Sequence, residues 1–386
     1  MSDLNQARSY RQKPELTKHS EPPSRSHLGG YFLRLGALGF GGPVALVGHM
    51  HRDLVESRRW ISEEEYREGL ALAQLSPGPL AAQLCFYLGY VRGGVIGAIV
   101  SGLAFVAPSF VIVVALGWAY QRYGGLAWMQ AVFYGVGASV IGLIAKSAYG
   151  LARKTMGRDA LLWGILLVVA VATAMTGRES VSLIVAGGVV VWLVRAPPKA
   201  LRRAGTAGEG GSAILLLHIL GFFAYAGTFV FGSGLAIVPF LHGGVVLEHR
   251  WLTERQFLDA IAVAFVTPGP VVITTGFIGY LVAGMAGACV AAGATFLPAL
   301  LFTVIPAPYF HRHGKRPWLA AVVDGVTAGA TGAIVGAVVV LGQRSIIDLP
   351  TTLIALGAFA LAWLKWKIPD PVIVLLAALV GLALRR

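Results

Sequence analysis

Past residue 28 the chain is a succession of apolar runs separated by short polar stretches. The runs are continuous rather than alternating, which predicts membrane helices and not a barrel. The first run starts near Leu28 and is interrupted at Gly39-Phe40-Gly41-Gly42-Pro43. A polar stretch of mixed sign, 51–68, follows. Within it, Ser62 to Glu65 reads as a capping box that opens a helix running to Gln74. That helix stops at Ser76-Pro77-Gly78-Pro79, resumes at Leu80 and ends near Arg92-Gly93-Gly94. Proline removes a backbone donor and clashes with the preceding turn, and glycine permits a turn or a close approach. Runs over Val95–Ala119 and Leu126–Ala148 come next, then a basic loop with Arg153, Lys154 and Arg158. Two short runs, 161–175 and 181–194, read as two short crossings or one irregular one.

The stretch 195–212 is polar, basic and rich in proline and glycine, as a linker is, and beyond it the pattern repeats. Phe231-Gly232-Ser233-Gly234 answers Phe40-Gly41-Gly42-Pro43, Trp251 answers Trp60, and Thr267-Pro268-Gly269-Pro270 answers Ser76-Pro77-Gly78-Pro79, all at an offset of 191 residues. Further on the offset is 190, as in Pro108 and Pro298. The chain is an internal duplication. We divide it into a disordered cytoplasmic tail (1–27), an N-terminal transmembrane repeat (28–194), the linker (195–212) and a C-terminal transmembrane repeat (213–386). The tail has no apolar core of the signal-peptide kind. The fold class is therefore all-α, a polytopic membrane protein of two homologous halves with helices broken at the FGGP and PGP motifs.

Composition sharpens this only at the charges. The formal net charge is +13. The basic residues gather in tails and loops, which fits flanks held near anionic lipid and gives no reason to invoke nucleic acid. The same field would draw in an anionic substrate. Counting loop Lys and Arg does not decide between parallel and inverted halves. Cys85 and Cys289 lack metal-ligand spacing, no cofactor motif is present, and no HExxH, GxSxG or phosphate-binding loop suggests an enzyme. His311 and His313 belong to a basic loop and read as a topology signal.

Charges inside apolar runs are the candidate chemistry. Arg34 lies six residues into its run, where it is either a functional cation or a side chain snorkelling to the interface. Asp324 is a proton carrier or an ion partner, with Lys146 or Arg34 as its expected mate. The halves differ at these points: Tyr225 stands where Arg34 would, and Tyr134 where Asp324 would. Paired helix breaks in corresponding halves point to a transporter's binding site. The half-helix N-termini after Pro79 and Pro270, with Gln74 and Gln83 flanking the first break, would offer donors to an anion, and Arg34 would complete the charge. The alternative is that the breaks only shape helix packing.

Phe40-Gly41-Gly42-Pro43, Arg59-Trp60, Gln74-Leu75-Ser76-Pro77-Gly78-Pro79, Gln83-Leu84, Gly89-Tyr90, Gly94, Gly97 and Pro108-Ser109-Phe110 together resemble the chromate ion transporter family in its long, two-domain form. The resemblance covers essentially the whole chain past the tail. It implies oppositely oriented halves in a bacterial inner membrane and a secondary transporter that exports chromate and confers resistance to it. Membrane potential or a proton gradient would drive it. Ser76 stands where the family often has leucine, and Ser233-Gly234 where Gly-Pro would stand. Sulfate or another tetrahedral oxyanion, carried by a transporter or a channel, is the alternative substrate. The oligomeric state stays open, with a homodimer one option.

Overall fold

The computed structural model describes residues 24–39, 42–123, 126–176, 181–195, 213–228, 230, 237–309, 317–364 and 368–384. The tail before residue 24, Phe40, Gly41, the linker, Phe231 to Gly234 and the loop with His311 and His313 lie outside them.

Among the described residues each half supplies seven helices in the same order. The first half gives α1 (Arg25–Leu38), α2 (Gly42–Met50), α3 (Glu63–Leu75), α4 (Leu80–Tyr123), α5 (Ala127–Met156), α6 (Ala160–Thr176) and α7 (Val181–Arg195). The second gives α8 (Ala213–Gly227), α9 (Ile237–Leu241), α10 (Glu254–Val266), α11 (Thr274–Val304), α12 (Pro317–Ser345), α13 (Leu349–Trp363) and α14 (Asp370–Leu384). No strand occurs among the described residues. Four helices among the described residues are long and apolar enough to cross a membrane. The basic residues Arg153 and Lys154 extend α5 rather than forming a loop. The two short runs are separate helices, α6 and α7, packed against each other.

The capping box forms as read: Ser62 Oγ accepts from the Glu65 N–H, and Glu65 accepts from the Ser62 N–H at 2.8 Å. Thr253 and Gln256 repeat it at α10. Each PGP motif then turns the chain back on itself. Gly69 of α3 lies against the Tyr87 ring of α4, and Arg92 makes a bidentate pair with Glu65 at 2.8 and 2.6 Å. So α3 and 80–92 form a re-entrant hairpin, tipped by Ser76–Pro79 and closed at its base by an ion pair. The helix α4 is itself broken at Gly93-Gly94, where Gly94 takes φ 61°. Its second arm, 95–123, folds back along 80–92, with Gly89 against Gly97 and Phe86 against Gly102. The second half does the same, with its break at Ala283-Gly284.

These contacts fix the relative direction of the halves. The first hairpin has its base at the start of the arm 95–123. The arm 274–282 of the second hairpin runs beside the far end of 95–123: Gly276 faces Phe110 and Val113, Gly117 faces Tyr280, and Gln121 Nε2 donates to the Leu281 carbonyl at 3.4 Å. The two hairpins therefore enter from opposite ends of one helix, and the halves are inverted.

The halves are interleaved rather than adjacent. α5 packs on α13 and α14 of the other half, and α12 packs on α6 and α7. Small residues permit this approach. A β-carbon on Gly142 would lie 2.4 Å from the Ala355 carbonyl oxygen, and one on its repeat equivalent Gly332 would lie 2.4 Å from that of Leu166.

Candidate functional site

The hairpin tips meet the other half at Gly39 and Val230. The Gly269 N–H donates to the Gly39 carbonyl at 3.1 Å, and the Gly78 N–H donates to the Val230 carbonyl at 2.5 Å. Gly39 and Val230 are repeat equivalents, each at the entry to an FGGP-type motif. Both tip glycines have φ values only glycine tolerates well, 146° at Gly78 and 90° at Gly269. Each PGP tip of one half is thus hydrogen-bonded to the residue that precedes the FGGP-type motif of the other.

At the first tip, Ser76 Oγ donates to the Phe302 carbonyl at 3.2 Å, and Gln83, fully buried, donates through Nε2 to the Pro77 carbonyl at 2.8 Å. The Pro79 carbonyl accepts the Gln83 N–H as the helix resumes. Gln74 is exposed at the end of α3. At the second tip, Thr267 Oγ1 donates to the Val263 carbonyl, and the Pro268 carbonyl accepts from Ser109 Oγ at 2.7 Å. After Pro270 the chain makes a 3₁₀ turn, Val271–Ile273, before α11 begins. The Gly78 and Gly269 N–H groups and the Ser76, Gln83 and Thr267 side chains thus already donate to protein carbonyls.

Arg34 lies elsewhere in the same neighbourhood. It lines a polar cavity of about 360 Å³ with Tyr31, Leu35, Leu38, Gly39, His49, Asp53, Ser57 and Arg58. Gly39 belongs both to this cavity and to the contact with the second tip. Two guanidinium groups face one carboxylate here, so the lining is net positive. Arg58 lies over the rings of Trp60 and Tyr31, 4.7 and 5.5 Å from their centroids, which fixes its charge toward the cavity wall. The Tyr31 hydroxyl is buried beside Asp53. Among the described residues Arg34 has no ion-pair partner, so its fork is available. Gly42 opens α2 three residues after Gly39, and the Pro43 side chain lies outside the described set.

The corresponding place in the second half is filled. Phe222 replaces Tyr31, Gly244 replaces Asp53 and His249 replaces Arg58. The Phe222 ring occupies the space where a β-carbon on Gly244 would stand, 2.0 Å from it. It packs on His249 and Trp251 at 5.6 and 5.8 Å, and those two rings stack at 4.5 Å. One half carries a polar, cationic cavity and the other an aromatic plug.

Asp324 is placed away from Arg34 and from Lys146. Its carboxylate accepts from Arg195 at 2.8 Å, and Arg195 also holds Asp159. Asp159 caps α6 through the N–H groups of Leu161 and Leu162. The Leu162 N–H first, then Arg195 and the Leu161 N–H, together outweigh the burial cost and hold its carboxyl below the usual range. The cluster ties the ends of α6, α7 and α12 together. Lys146 instead lies near Asp370 at the start of α14. With Asp324 part-exposed and paired, Asp324→Asn should leave the pH profile of transport unchanged and cost about 0–1 kcal/mol of stability, read by thermal melting of the purified protein. A displaced pH profile would return Asp324 to the coupling role.

A family model described as Chromate transporter matches residues 26–192 and again 217–382. A chromate transport protein from Cupriavidus metallidurans is 62% identical over 91% of each chain. A probable chromate transport protein from Synechococcus elongatus is 61% identical over 91% of this chain and 93% of its own. A chromate transport protein from Pseudomonas aeruginosa is 32% identical over 95% and 94%. No solved structure matches the chain.

Proposed function

The chain belongs to the chromate transporter family, and from that premise we propose that it exports chromate across the bacterial inner membrane and so confers resistance to it. It is a multi-pass membrane protein, a transporter and not an enzyme. The observation that carries the reading is the cationic cavity beside Gly39. A tetrahedral dianion needs positive charge and donors without a closed cage. Arg34 offers a free planar fork, Arg58 a second charge, and Tyr31 and Ser57 hydroxyl donors.

In this reading Gly41, Gly42 and Pro43 serve the site as the motif that follows Gly39 in the sequence. Thr267 to Pro270 form the movable wall behind Gly39, and Gln74, Ser76 to Pro79 and Gln83 form the equivalent wall of the opposite vestibule. Asp324 and Lys146 are structural. Inverted hairpins entering from both ends give the two access states that carrying a solute across requires. Export is the favourable direction. With the inside negative, moving a dianion outward gains about 2.3 kcal/mol per charge for each 100 mV.

Uptake of labelled chromate into inverted vesicles tests this, with sulfate as competitor and the potential and pH gradient collapsed separately. Saturable, energy-dependent accumulation that sulfate does not abolish is expected. Non-saturating flux would indicate a channel, and equal competition a general oxyanion carrier.

A further inference from the structure

Asp259 is the one carboxylate among the fully buried described residues, with 4% of its surface exposed. It lies on α10, the inward limb of the second hairpin, and no ion pair reaches it among the described residues. Its hydrogen bond comes from the other half: Tyr120 Oη, near the end of α4, donates to Asp259 Oδ2 at 2.6 Å. The Tyr120 ring is packed between Phe133 of α5 and Phe277 of α11, at 5.5 and 5.8 Å. The charged or titratable groups that bear on Asp259 are Tyr120 and, one turn away on its own helix, Arg255. α5 and α11 turn aromatic carbon toward the site. In the first half the equivalent residue is Glu68, half-buried and directed at Tyr87 within its own hairpin. The cross-half pair is not repeated in the sequence, where Phe310 stands at the position equivalent to Tyr120.

A buried carboxylate without a counter-ion is costly while ionised and cheap while protonated, so it exchanges protons as its surroundings open and close. The placement gives such an exchange a mechanical consequence. The second hairpin is held to the first half at two levels, by Tyr120 on α10 and by Gly39 and Ser109 at the tip. Gly39 is also a wall of the oxyanion cavity. We infer that Asp259 is a proton-binding site whose occupancy sets the position of this hairpin, and through Gly39 the side to which the oxyanion cavity opens. The charged carboxylate grips Tyr120 and holds the hairpin down. Protonation weakens the grip and lets the tip withdraw, so that one anion crosses in exchange for a proton taken up on the opposite face.

The inference rests on the transport reading, and the test separates the two. Purified protein is reconstituted in liposomes holding a pH indicator, and labelled chromate counterflow and chromate-driven proton movement are followed together. The Asp259→Asn side chain still accepts from Tyr120 but carries no proton. It should retain counterflow and lose chromate-driven proton movement. The Tyr120→Phe variant keeps the carboxylate and removes the bond that favours its charged form, so net transport should shift its profile toward higher pH. Proton movement that persists in Asp259→Asn, or an unshifted profile in Tyr120→Phe, overturns the inference while the transport reading stands. Absence of counterflow in the wild type overturns both.

Discussion

Replacing Arg34 with alanine is expected to abolish chromate transport and resistance while the protein remains inserted and folded. The side chain is exposed into the cavity and contributes no ion pair to the fold among the described residues. Its loss should therefore cost little stability. Charge-assisted hydrogen bonds contribute about 1.5–3 kcal/mol each, and a bidentate guanidinium makes two. Chromate affinity should fall at least about tenfold to a hundredfold on losing one such bond. Lysine restores the charge without the fork and should recover part of the activity. Equilibrium binding of chromate to purified protein reads the affinity, and growth on chromate reads the resistance. Unchanged resistance in Arg34→Ala would remove the residue from the site and leave snorkelling as its role.

The second large effect is expected at the tip that backs the cavity. Gly269 has φ 90°, and a β-carbon there would stand 2.1 Å from Ser109 Oγ, the atom that donates to the Pro268 carbonyl. Gly269→Ala must therefore both strain the backbone and break the tip's contact with α4. Left-handed strain costs about 1–2 kcal/mol and overpacking about 1–3 kcal/mol. The sum falls on a hairpin whose position defines Gly39. Transport should be lost, and the melting temperature of the purified protein should drop. Adding Ser109→Ala relieves the clash and not the φ strain, so it should recover stability in part. A Gly269→Ala protein with wild-type melting and transport would show that the tip's geometry does not govern the cavity.

What the sequence disclosed follows from the range of the interactions involved. The capping box at Ser62 and the PGP breaks depend on residues within a few positions of one another, and the duplication repeats such local motifs at a constant offset, so each is legible in the sequence. The re-entrant path was not, because it is set by contacts such as Glu65 with Arg92 and Gly89 with Gly97 across a turn. Nor was the interleaving of α5 with α13 and α14, which depends on small residues meeting far along the chain. Arg34 could be singled out because a charge in an apolar run is conspicuous. His49, Asp53, Ser57 and Arg58 could not, because they fall in a polar stretch that reads as a loop. A signal was present in the comparison of the two copies, where Asp53 faces Gly244 and Arg58 faces His249. Asp324 drew attention for the same reason as Arg34, yet its partner Arg195 lies on another helix beside the linker. Asp259 was hidden at the sequence level by its position on an amphipathic helix, where an acid reads as solvated.

The central claim is that the oxyanion sits in the cavity at the first half's helix break. Crystals of the protein grown with chromate, measured at the chromium absorption edge, locate the metal of the bound anion directly. The account predicts an anomalous peak within hydrogen-bonding reach of both Arg34 and Arg58, beside Gly39. A peak at the half-helix N-termini after Pro79 or Pro270, with the Arg34 cavity empty, would contradict it.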